Sequence, residues 1–154
     1  MSTATTEKNK AVIRRFFDAW NSRQPEAFDN LLTADVVRHC EATPGVEGRS
    51  LDQIKEFLRQ DTAVFPDSVQ TIKLLVAEGN LVAAWTTYEG TQRGPMGPFP
   101  PSGRKAQFDF GAVFRNACPT DSQRGRSRGS TRERPPFAGV WNHSNREALN
   151  DATR

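Results

Sequence analysis

The run from Leu81 to Arg115 limits this chain to very few architectures. Its first arm, residues 81–89, is dense in β-formers. Its second arm, residues 107–115, alternates. Phe108, Phe110, Ala112 and Phe114 share one face of such a strand, and Asp109, Gly111, Val113 and Arg115 share the other. The connecting residues 90–104 are too rich in Gly and Pro for a helix or a ladder strand, yet they carry Met96 and Phe99. A polar loop gains nothing from two large apolar residues unless they cover something. The expected form is an antiparallel pair whose loop lids an apolar pocket.

The segments before it follow recognisable periods. Ile13, Phe16, Phe17 and Trp20 make one apolar stripe, which predicts a helix over residues 7–23. Pro25 opens a second, short helix with Phe28, Leu31 and Leu32 facing inward. Residues 34–40 read as a short strand. Ser50 and Gln53 have the form of a capping box, and the helix they open runs to about Val64, before Phe65-Pro66 stops it. On that helix Asp52, Glu56, Arg59 and Asp61 read as an exposed face. Residues 69–78 form a further strand, joined to Leu81 by the Gly79-Asn80 turn. Helices first and strands later predict an α+β fold: a curved antiparallel sheet covered by three N-terminal helices.

Two regions are expected, a domain at residues 1–115 and a tail at 116–154. The formal net charge of +3 resides entirely in the tail, which holds seven Arg and four acids against fourteen basic and fourteen acidic side chains before it. The tail has only Phe137, Val140, Trp141 and Leu149 as large apolar residues, and its Arg/Gly/Ser/Pro run at 123–136 reads as disordered. Nucleic acid is therefore not an expected partner except through the tail. The first ten residues lack the apolar run of a secretory signal and no stretch is long enough for a membrane span, so a cytoplasmic, membrane-free protein is expected. Cys40 and Cys118 form no ligand or redox pair by spacing.

Five ordered stretches carry a family resemblance. They are N-K-A-V-I-R-R-F-F-D-A-W-N at 9–21, D-V-V-R-H at 35–39, F-P-D at 65–67, E-G-N-L-V-A at 78–83 and G-T-Q-R-G-P-M-G-P-F-P-P-S-G-R at 90–104. Together they resemble the SnoaL-like polyketide cyclases, in particular their bacterial ester cyclase branch, within the cone-shaped superfamily of nuclear transport factor two. The resemblance implies a bent sheet around a hydrophobic cavity. It also implies intramolecular aldol cyclisation of polyketide esters without a metal or organic cofactor, using an acidic residue on the final strand as acid/base. Past Arg115 the sequence departs from that pattern, so the final strand is expected to be atypical or missing, and Phe110 and Ala112 stand where characterised cyclases carry Gln and His. A reading-frame change in GC-rich coding DNA would produce such a break; translating the other two frames beyond that codon should then restore the E-x-W strand.

The candidate catalytic groups are His39, which matches the family's cavity-edge histidine, and Asp109, the only carboxylate on the returning arm and a base if burial raises its pKa. Phe17, Trp20, Trp85, Met96, Phe99 and Phe110 are the candidate substrate-binding residues. Trp85 and Tyr88 fall on opposite strand faces, so both cannot line one cavity. The expected ligand is a small hydrophobic carbonyl compound, handled by a cyclase or isomerase or merely bound by a non-catalytic module. A homodimer is expected because the arm ending at Arg115 has an open edge unless the tail or a second subunit covers it.

Overall fold

A computed structural model describes residues 3–40, 47–115 and 139–144, with the backbone alone for Cys40 and the last segment. The elements run α1 (Thr3–Ser22), a single 3-10 turn (Pro25–Phe28), β1 (Val37–Cys40), α2 (Leu51–Val64), β2 (Val69–Glu78), β3 (Leu81–Thr91), β4 (Lys105–Arg115) and β5 (Gly139–Ser144). The fold is α+β, with two helices and one 3-10 turn among the described residues where three helices were expected. The expected disorder of residues 123–136 lies outside the described residues.

Local chemistry sets the boundaries. Ser50 accepts the Gln53 N–H at 3.3 Å and caps α2, and the Gln53 side chain accepts from the N–H of Arg49, one residue ahead of the cap, at 2.6 Å. Phe65, ahead of Pro66, leaves the helical region at φ −125°. Gly79 at φ +60° takes the first position of the two-residue turn that pairs Glu78 with Leu81. Two asparagines strap α1 to the sheet. Asn9 donates to the Gly79 carbonyl at 2.7 Å, and Asn21 exchanges two bonds with the Gln70 backbone at 2.8 and 2.9 Å.

The sheet order is β1-β5-β4-β3-β2, antiparallel except for the β1–β5 pair. β5 lies inside the tail, and it pairs Val140 with Phe114 and Ser144 with Phe110. The edge of β4 is therefore covered by the chain itself. An open edge there no longer argues for a dimer.

The inner face of the sheet presents Val82, Ala84, Thr86 and Tyr88 on β3 and Phe108, Phe110, Ala112 and Phe114 on β4. α1 lays Phe16 and Phe17 on Phe114, with ring centroids 5.3 and 5.8 Å apart. Phe28, from the 3-10 turn, is fully enclosed between Phe16 and Trp20. The aromatic stripe of α1 thus meets the aromatic stripe of β4, and that contact forms the core.

The loop at 90–104 is pinned at its start. Arg93 and Gly94 both donate to the Val64 carbonyl at the end of α2. A Cβ on Gly94 would collide with the Ala63 carbonyl. Gly94→Ala should therefore destabilise the fold by about 1–3 kcal/mol, as overpacking does; an unchanged urea midpoint would refute this. At its tip Met96 and Phe99 pair backbone to backbone around Gly97, at φ +58°. Both side chains are 41% and 51% exposed.

Candidate functional site

The inner aromatic face is interrupted by one carboxyl group. Asp61 lies seven residues after Ile54 and three after Leu58, so it shares the buried stripe of α2. Its Oδ1 accepts the Tyr88 hydroxyl at 2.9 Å, and its Oδ2 accepts the Ser68 hydroxyl at 3.2 Å. Burial pushes the Asp61 pKa above the usual carboxylate range, against the hydroxyl bonds and the Arg23 charge that favour its ionised form. Burial and the neighbouring carboxylate push the Tyr88 phenol well above its ordinary value, so Tyr88 keeps its proton and acts as donor. Arg23, held at φ +58°, donates to the Ser68 carbonyl at 2.6 Å and fixes the turn that carries Ser68.

Trp20 and Thr86 add two further polar atoms. The Asn21–Gln70 strap brings the end of α1 level with Gln70 and Ile72, whose partners across the ladder are Tyr88 and Thr86. The buried Trp20 indole N–H closes no hydrogen bond of standard geometry, yet it lies near enough to the Asp61 carboxylate to favour its ionised form. The Thr86 hydroxyl is fully buried without a protein partner among the described residues. Phe57 packs on Trp20 at 5.7 Å, while Phe65 and Phe108 flank Tyr88 at 5.8 and 5.1 Å. A carboxyl group, a phenol and an indole N–H thus meet among aromatic side chains, and the Thr86 hydroxyl is buried on the same face of β3 as Tyr88.

Of the residues expected from sequence, Trp20 and Phe110 belong to this enclosure, and Phe17 packs with Phe16 and Phe114 in the adjoining core. The remaining five do not. On β1, Arg38 turns inward and stacks its guanidinium 4.3 Å from the Phe57 ring, so the adjacent His39 lies across the strand from the enclosure. The His39 Nδ1 is 3.8 Å from Glu47, and its side chain is about a third exposed. Asp109 faces the outer side, where it accepts the Thr87 hydroxyl at 2.6 Å and lies 3.5 Å from Lys73. The Thr87 bond, with help from Lys73, lowers its pKa, which is the opposite of what a buried general base would need. Trp85 also faces outward, beside Gly111. Met96 and Phe99 stand on the exposed loop tip.

Asp61 was missed because its charge put it with Asp52 and Glu56. The spacing 54–58–61 was the signal that could have found it. No group of three or more His, Cys, Asp or Glu among the described residues is placed to hold a metal. No described helix is long and apolar enough to cross a membrane.

The SnoaL-like polyketide cyclase family model matches residues 10–117, well over half of the chain. The chain belongs to the SnoaL-like polyketide cyclase family. The match ends within two residues of the point at which the sequence pattern breaks. Solved structures agree in fold. A protein from Jannaschia assigned to the SnoaL-like polyketide cyclases superposes with a TM-score of 0.75 at 18% identity, over 99% of this chain and 95% of that one. IdmH from Streptomyces antibioticus, assigned as a polyketide cyclase, gives 0.69 at 22% identity, over 94% of this chain and 97% of its own. AclR from Streptomyces galilaeus, assigned as a hydroxylase, gives 0.69 at 20% identity, over 94% and 79%. None of the curated proteins matches the chain significantly in sequence. At these identities the superpositions speak for the fold alone.

Proposed function

We propose that this chain binds a small hydrophobic carbonyl compound among Trp20, Tyr88, Phe108 and Phe110, and that Asp61 moves the proton in a cyclisation or isomerisation of it. The observation that carries this reading is a half-buried carboxyl group with a raised pKa, set among aromatic side chains beside two hydrogen-bond donors. Such a group holds a proton more readily than a surface carboxylate, which suits it to take one from the carbon next to a carbonyl. As Asp61 accepts that proton, its hold on the Tyr88 hydroxyl weakens. The phenol can then turn to the developing enolate oxygen. The enolate carbon attacks a second carbonyl of the same molecule, and the resulting alkoxide recovers the proton from Asp61. The sequence is redox-neutral and needs no co-reactant.

This places the acid/base on α2 rather than on the last strand, the position that the family resemblance implies. Incubation with a panel of polyketide-like β-keto esters tests it, by following ring formation alongside tryptophan quenching. Turnover by the wild type that Asp61→Asn abolishes while binding persists is the expected result. Ligand binding by the wild type with no turnover of any ester would make the chain a binding module. Turnover that survives Asp61→Asn would exclude Asp61 as the base.

A further inference from the structure

One cation has been taken inside the fold. Arg38 is only 9% exposed, and among the described residues no other formally charged side chain is so deeply buried. Burying a charge is costly, so a cation on an inner face marks a place where an anion is stabilised. Its position is set from both sides. The backbone of Arg38 exchanges two hydrogen bonds with Gly48, at 2.6 and 3.1 Å, and on its other side the ladder carries it through Val140 to Phe114. Phe114 lies on the inner face of the sheet, so Arg38 is aimed at α2 rather than at solvent. There its guanidinium stacks 4.3 Å from the Phe57 ring, which packs in turn on Trp20 at 5.7 Å. Asp61 follows Phe57 by one turn of α2, a rise of roughly 6 Å along the axis. A fixed cation and a half-buried carboxyl group therefore stand one helical turn apart on the same side of α2.

We infer that Arg38 binds a carboxylate of the ligand, so that the compound handled here is a carbonyl compound bearing an acid group rather than a neutral ester. The inference rests on the ligand site proposed above and names its substrate class. A guanidinium carries five N–H donors in a planar fork, more than a single neighbouring acceptor can occupy. When such a group stacks on a ring, its N–H edges remain for hydrogen bonds. A carboxylate matches one edge with two parallel charge-assisted bonds, which a neutral ester or ketone cannot form with equal strength. Because the Arg38 backbone is held on both sides, the fork is preorganised and little conformational entropy is lost on binding. The anchored end also orients the rest of the molecule. A carbonyl several bonds from the carboxylate is brought along α2 toward Asp61 and the Tyr88 hydroxyl, as positioning for a proton transfer requires. Arg38 thus sets specificity and orientation, while the proton stays with Asp61.

Calorimetric binding to the full chain at neutral pH tests this, with δ-benzoylvalerate, an aryl ketone that ends in a carboxylate, set against its methyl ester. The wild type should bind the acid about 10–100-fold tighter than the ester, as hydrogen bonds to a charged group typically contribute. Arg38→Met keeps an apolar stem against Phe57 and removes the fork, so the acid should weaken to the level of the ester while the ester itself changes little. Arg38→Lys retains the charge without the bidentate edge and should keep only part of the preference, which gives a second reading in a variant closer to the native packing. Equal binding of acid and ester by the wild type would overturn the inference. So would a preference that survives in Arg38→Met, or an equal loss of both compounds in the two variants, which is what a purely structural arginine would produce. None of these results touches the role of Asp61, which stands or falls on turnover; turnover that survives Asp61→Asn would in turn leave the acid preference intact. Failure of either compound to bind the wild type would overturn the inference together with the ligand site on which it rests.

Discussion

Asp61→Asn should lower kcat/KM for a cyclised ester by about 10²–10⁴, the usual contribution of a positioned acid/base. Asparagine keeps an acceptor for one of the Tyr88 and Ser68 hydroxyls and offers its NH2 to the oxygen of the other, so the turn between α2 and β2 is retained while the proton-accepting group is lost. The pH dependence gives a second measurement on the same variant. The folded pKa of Asp61 lies above its unfolded value, so its contribution to stability is fully present below the ordinary carboxylate range. That contribution is lost as pH rises through the folded pKa. Asp67 and Asp109 have lowered pKa values and work in the opposite direction, which makes the raw melting curve ambiguous. The difference between wild type and Asp61→Asn removes them. The variant should gain on the wild type as pH rises through and above the ordinary carboxylate range, and the acid limb of the wild-type rate profile should lie above that range. A difference between the two proteins that stays constant with pH would mean that Asp61 ionises as easily in the folded chain as in the unfolded one.

The sequence was informative where a period, a cap or a turn residue fixes the backbone. The stripe of Ile13, Phe16, Phe17 and Trp20, the Ser50–Gln53 cap and the Gly79 turn each produced the expected element within a few residues. The family followed from short motifs of the same kind. β5 was not legible, because Gly139–Ser144 sits in a polar, Arg-rich context and its pairing with β4 and β1 is a long-range contact without a local signature. The site was harder still. Aromatic residues were expected to line it because they are large and apolar, but Trp85, Met96 and Phe99 face away from the core. Side-chain direction on β3 was settled by alternation, which already set Trp85 against Tyr88; choosing between them required knowing which face the helices cover. Asp61 carries the converse lesson. A charged residue on a helical stripe reads as solvent-facing until the partners that stabilise it, Tyr88 from β3 and Ser68 from the turn between α2 and β2, are brought near by the fold.

Phe28→Ala should cost about 3–5 kcal/mol, the largest loss of stability expected from a single substitution here. Phe28 is fully buried, and its ring stacks 5.4 Å from Phe16 and tilts 6.0 Å from Trp20. It reaches that position from a four-residue 3-10 turn whose remaining residues are only partly buried or exposed, so this ring is the turn's one fully buried anchor. Truncation would remove the transfer free energy of the ring and leave a hole that α1, strapped at Asn9 and Asn21, cannot collapse to fill. For a domain of this size the midpoint should fall by roughly 10–20 °C. Phe28→Leu, which keeps most of the volume, should recover the greater part of it. Phe99→Ala, at an exposed loop tip, should stay within ~0.5 kcal/mol of the wild type. Because Phe28 backs Trp20 without touching Asp61, Phe28→Leu should also weaken ligand binding more than it changes the pH profile. A Phe28→Ala protein that melts with the wild type would mean that the 3-10 turn and its ring are not part of the core as described.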